Sequence, residues 1–139
     1  MEAIYKGNIK FKDFGYEGLK AYRLSYQLAM DAFEVSKNFP KEERYSLTDQ
    51  LRRSSRSVVA NIGEGYRKRI YPKSFVSKMA DADGECSETM IHLSFAYNCQ
   101  YISEEILTYF EKKYDEVGKI LNYMIKNPEK FLPKELSSH

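Results

Sequence analysis

Arg52, Arg56 and Arg67 recur at spacings that place them on one side of a helix, with Arg53 at the edge of that side. Lys68, Arg69 and Lys73 continue the run, giving seven cations within 22 residues. A cluster of this kind suits a nucleic-acid backbone, where affinity scales with the number of phosphates neutralised, and Tyr66 and Tyr71 within it can add base stacking. The next segment carries a counter-charge: Asp81, Glu85 and Glu88, with His92, form a line that could pair with those arginines inside the chain or across a subunit boundary. Spacing alone leaves the two uses about equal, because a charge run is most often a solvated face.

Other chemistry is poorly supplied. Metal sites in four-helix bundles draw carboxylates from several helices and use paired Glu-x-x-His sequences. The only histidines here are His92 and the C-terminal His139, so the Asp81 to His92 line reads as a solvated or interfacial stripe rather than a metal site. A nucleophilic Ser or Cys would need a base and an orienting group in a cleft, and no such set is evident. Cys86 sits on an apolar stripe as a small core residue, and Cys99 lies at a helix end. Gly63-Glu64-Gly65 lacks the further glycines and the Lys-Ser/Thr of a phosphate loop, so these glycines are expected to permit close helix approach. The expectation is a chain with no catalytic, cofactor or metal residues, and hence no enzyme.

The elements that must position the arginines are helices. A chain of 139 residues, 42% hydrophobic and 30% charged, is expected to form one domain spanning 1–139 and to bury roughly two-thirds of its unfolded surface. Its net charge of +2 does not by itself announce a nucleic-acid or membrane partner. Two cysteines are too few for a disulfide framework, and 13 residues apart on one helix they are too distant to bridge. With no apolar run suited to a signal peptide or a membrane span, a cytoplasmic location is expected.

Four helices are predicted, at about 17–38, 42–68, 72–99 and 103–126. The first carries Leu19, Tyr22, Tyr26, Ala29, Phe33 and Ser36 at alternating steps of three and four, and ends before Phe39-Pro40. The second buries Leu47, Leu51, Ser54, Ser55, Val58 and Ile62, and the third opens on Pro72, which suits a first helical turn. The third presents Phe75, Met79, Ala82, Cys86, Met90, Leu93 and Tyr97 in phase, although Gly84 costs up to about 1 kcal/mol against alanine unless close packing uses it. The fourth is capped by Ser103, buries Ile106, Phe110, Val117, Leu121 and Met124, and ends before Asn127-Pro128. The first 15 residues and the last dozen, including Ser137-Ser138-His139, read as tails.

With no strand pattern and short connections, this is an all-α, up-down-up-down antiparallel four-helix bundle. A second apolar line on the first helix, Leu24, Leu28 and Val35, falls nearly opposite its seam. Either the N-terminal tail, with Ile9, Phe11 and Phe14, folds over it, or it meets another subunit, and the second is the expectation.

The stretch FPKEERYSLTDQLRRSSRSVVANIGEGYRKR, Phe39 to Arg69, resembles the bacterial four-helix-bundle proteins encoded in intervening sequences of 23S rRNA genes, which show a similar FPKEE, LxxQLRR, small-residue, NIAEG run. The resemblance extends more loosely through the third helix, where Gly84 and Glu88 fall at family positions, and Ile62-Gly63 stands where members more often have isoleucine and alanine. It implies a ring-like homo-oligomer, a pentamer, with no established catalytic activity. Related bundles serve diversity-generating retroelements, where a basic pentamer engages a reverse transcriptase and RNA. It further implies that Asn61 bonds a neighbouring helix and that Arg53 and Glu64 pair across helices or subunits.

Two readings follow. In the first, a non-enzymatic homo-oligomer binds RNA or a reverse-transcriptase-like nucleoprotein through Arg52, Arg56, Arg67, Lys68 and Arg69. In the second, a pure interaction scaffold uses its arginines for ion pairs, with Leu24, Leu28, Val35, Arg53, Glu64 and Glu88 at the subunit boundary.

Overall fold

The computed structural model describes residues 1–134 and contains four long helices: α1 Lys20–Ser36, α2 Leu47–Arg67, α3 Pro72–Asn98 and α4 Glu104–Lys126. Short 3-10 turns at Gly15–Gly18 and Lys41–Glu43 precede α1 and α2, which is why both helices start later than their apolar periodicity suggests. Pro72 occupies the first turn of α3, and the Ser103 hydroxyl accepts the Ile106 N–H at 3.2 Å, satisfying one orphan donor of α4. The Ser137-Ser138-His139 part of the expected C-terminal tail lies outside the described residues.

The helices pack in cyclic order, each against its sequence neighbour, with α1 closing on α4. Glu64 meets Lys78 while Arg53 meets Glu88, so contacts advance along α2 as they retreat along α3; Asp31 with Tyr109 and Lys20 with Glu116 show the same for α1 and α4. This is the expected all-α antiparallel four-helix bundle.

The core is built from Leu51, Val58 and Ile62 of α2, Phe75, Met79 and Leu93 of α3, and Phe110, Val117 and Leu121 of α4. Polar side chains are threaded through it with partners: the Thr89 hydroxyl hydrogen-bonds Ser54 across the α2–α3 interface at 2.9 Å. Gly65 fulfils the expected close approach, since a Cβ there would come within 2.9 Å of Lys78 Cβ and 2.8 Å of Met79 Cε.

On α1 the expected seam holds for Ala29 and Ser36, which are buried, but fails for its aromatics. Its buried face is Ala21, Ser25, Leu28, Ala32 and Val35, not the aromatic line through Tyr22, Tyr26 and Phe33. The two lines share one period a residue apart, and the one with small side chains lets α1 lie close against α2 and α4, whereas the aromatics ride at its edges. Leu28 and Val35 are therefore core residues sealed inside the chain, and Leu24 packs partly buried against the same core, so this line is not a spare side for a second subunit. The N-terminal segment does fold back, but over the aromatic edge: Phe11 meets Tyr22 and Tyr26 edge-on at 6.1 and 5.4 Å.

Candidate nucleic-acid interface

The α2 arginines divide into three environments. Arg52 and Arg56 lean across α1 onto one ring, with guanidinium carbons 4.8 and 6.0 Å from the Phe33 centroid, and the Lys37 ammonium approaches the same ring at 4.9 Å. Arg52 is further fixed by donating from Nε to the Ser36 hydroxyl at 2.8 Å. Among the described residues neither arginine has a carboxylate within ion-pair distance, so a fixed positive patch remains where α1 ends and α2 begins. Phe33 belongs to this patch, and Lys37 borders it with its ammonium paired to Glu34 at 3.4 Å, although sequence spacing did not group them with α2; a cation run facing an aromatic of the preceding helix is the signal that could have done so.

Arg53 is spent internally. It donates to Glu88 and lies 3.5 Å from Glu85, bridging α2 to α3. This hydrogen bond holds the Glu88 carboxyl below the usual carboxylate range, while burial and the neighbouring Glu88 charge push Glu85 up. His92 Nε2 lies 3.5 Å from Glu88, which completes the line with a contact of its own helix. The expected pairing of the acidic stripe with the arginines thus exists for Arg53 alone, within one chain, and Glu64 pairs within the chain too, with Lys78 at 2.9 Å. Asp81 stays exposed. Asn61 also departs from expectation: its amide donates back to the Ser57 carbonyl of its own helix at 2.9 Å.

The third environment is the turn between α2 and α3. Arg67 and Lys68 project into solvent, with no carboxylate within ion-pair distance among the described residues. Arg69 is less free than its spacing suggests, because its guanidinium stacks 4.1 Å from the Tyr66 centroid and donates to the Tyr66 carbonyl at 3.1 Å.

Outside the basic side, α3 has an uncovered apolar line. Ile91 and Phe95 are 55% and 60% exposed, and Gly84, two turns before Ile91 on that side, has open space where a Cβ would stand. Cys86 is buried and Cys99 exposed, both unbridged, and burial pushes the Cys86 thiol up to about 12. A surface depression lies along α4 beside Met1, lined by Glu104, Glu105, Tyr109, Lys112 and Lys119, and includes none of the arginines. Among the described residues, no helix is long and apolar enough to cross a membrane.

Fold and surface together define a small all-α bundle with cations along one helix and its following turn that have no ion-pair partner among the described residues. Residues 17–123 match the family model of the 23S rRNA-intervening sequence protein, and the chain belongs to that family. Comparison with curated proteins gave no match.

Proposed function

We propose that the chain is a non-enzymatic, self-associating cytoplasmic protein, a pentamer in its assembled form, that binds RNA through the basic side of α2. The observation that carries the RNA reading is the sorting of charge: Arg53 and Lys78 are ion-paired with carboxylates, while Arg52, Arg56, Arg67 and Lys68 have none within ion-pair distance among the described residues. Cations held in place but unneutralised contribute counterion release when a phosphate backbone arrives. RNA affinity measured across a range of salt concentrations tests it: removing Arg56 and Arg67 together reduces the log–log salt slope by roughly one to two. Undetectable binding at low salt, or a slope that the double variant leaves unchanged, overturns the reading.

Self-association is supported by the α3 line of Gly84, Ile91 and Phe95, which replaces the α1 line as the uncovered apolar side. Two free thiols, one of them exposed, suit a reducing compartment.

A further inference from the structure

The end of the bundle at the α2–α3 turn differs from the long side of α2. Tyr71 is 65% exposed, and among the described residues its side chain makes no hydrogen bond, ring pair or cation–π contact, whereas Tyr66 already carries Arg69 on its face. On the segments that flank Tyr71 in sequence, a shallow groove is lined by Lys68, Lys73, Ser74, Ser77 and Lys78, so three ammonium groups and two hydroxyls surround one depression. Glu64 forms an ion pair with Lys78 at 2.9 Å and also feels the Lys68 charge, and Asp81 acts on Lys78, so Lys73 is the groove ammonium with no carboxylate acting on it among these pairs. The 3-10 turn Pro128–Phe131 returns to the same end by stacking Phe131 on Phe75 at 5.5 Å, while Lys130 lies over the Tyr123 ring at 5.3 Å.

We propose that this end takes an unpaired stretch of RNA, with one base stacked on Tyr71 and a flanking phosphate in the groove between Lys68, Lys73, Ser74 and Ser77. The inference rests on the RNA reading above and narrows it. A base inside a duplex has no face to offer a protruding ring, whereas a loop or single strand does, and lysine and serine side chains beside the ring match the phosphates on either side of a splayed base. An anionic lipid surface would use the same cations. It would also require an apolar face to bury, and among the exposed large apolar side chains of the described residues only Ile70, 46% exposed, adjoins the tyrosine in sequence.

The chain contains no tryptophan, so Tyr71→Trp introduces a single reporter at the site. Titration with a single-stranded RNA of about 12 nucleotides should quench the indole, a blunt duplex of the same sequence should do so at least about tenfold less effectively, and Tyr71→Ala should weaken single-strand binding by about tenfold. Lys68→Ala with Lys73→Ala should flatten the salt dependence of the quenching. RNA binding seen by anisotropy with unchanged indole emission, or with no preference for the single strand, overturns this placement and leaves the broader RNA reading standing. Loss of all RNA binding in the unsubstituted protein overturns both. Quenching or a blue shift with phosphatidylserine vesicles, and none with RNA, overturns the inference in favour of a lipid surface.

Discussion

The buried Asp31 carboxylate of α1 accepts the Tyr109 hydroxyl of α4 on one oxygen and the Ile4 and Tyr5 N–H groups on the other, at 3.1 and 2.8 Å. Gln27 adds a further donor at 2.9 Å and reaches the Tyr5 carbonyl as well, so one side chain binds two helices and the N-terminal segment together. Burial, and then the adjoining carboxylate, keep the Tyr109 phenol protonated far above its ordinary range.

Removing that acceptor strands buried donors in α4 and in the N-terminal segment. Asp31→Ala should cost about 3 kcal/mol in urea unfolding, and Tyr109→Phe, which leaves the carboxylate its other donors, about 1 kcal/mol. Equal costs would show that the Tyr109 hydroxyl carries the whole effect.

Two glycines should respond oppositely to alanine. Gly65→Ala forces Lys78 Cβ and Met79 apart and should destabilise the chain by about 1–3 kcal/mol. Gly84→Ala meets open space and should raise the stability of the dissociated chain by about 0.5–1 kcal/mol, while weakening assembly if α3 is where copies approach.

The proposed assembly face is tested by charge. Phe95→Asp should leave a folded chain that sediments as a monomer, because Phe95 is exposed, whereas Leu28→Asp should unfold the chain by placing an unpaired charge in its core. If the unsubstituted chain sediments as a monomer at tens of micromolar, it has no interface of the size that holds stable oligomers together, and the self-association reading is removed.

Glu43 and Tyr101 give opposite pH limbs. The Ser46 hydroxyl, and then the Tyr101 hydroxyl at 2.9 Å, hold the Glu43 carboxyl below its usual 4.5, so its contribution is complete above that pH and drains as pH falls through the lower folded value. Bonding to Glu43 pushes the Tyr101 phenol up to about 12, so its contribution is complete below pH 10 and drains as pH rises through about 12. Denaturation midpoints should therefore fall less steeply in acid for Glu43→Gln, and less steeply in alkali for Tyr101→Phe.

At the end of α3, Gln100 adopts φ 67° as its N–H reaches the Tyr97 carbonyl and the Tyr101 N–H reaches Ala96. Glycine adopts this backbone without a Cβ penalty, so Gln100→Gly should stabilise the chain by about 0.5–1 kcal/mol in thermal or urea unfolding.

Helix number, order and most of the core of α2, α3 and α4 were legible because Leu51, Val58, Phe75, Leu93, Phe110 and Leu121 mark single apolar stripes. α1 was not, because its two stripes have the same period and only packing distance chooses between Ala21-Ser25-Leu28 and Tyr22-Tyr26-Phe33. The candidate cations could be found from spacing, but not their division: whether an arginine reaches Glu88, Phe33 or solvent depends on which helix lies beside it. The Asp31 cluster was invisible for the same reason, since its donors come from three separate stretches of chain.

Cyclic packing of sequence neighbours has a kinetic consequence. The α1–α2, α2–α3 and α3–α4 interfaces form across short connections, so only the α1–α4 seam requires a long loop to close. Such low contact order predicts folding within microseconds to milliseconds, with the seam held by Asp31 and Tyr109 the last to form and the first to open. Amide exchange should accordingly be fastest to report opening at Ile4, Tyr5 and the facing turns of α1 and α4, while the α2–α3 hairpin stays protected up to global unfolding.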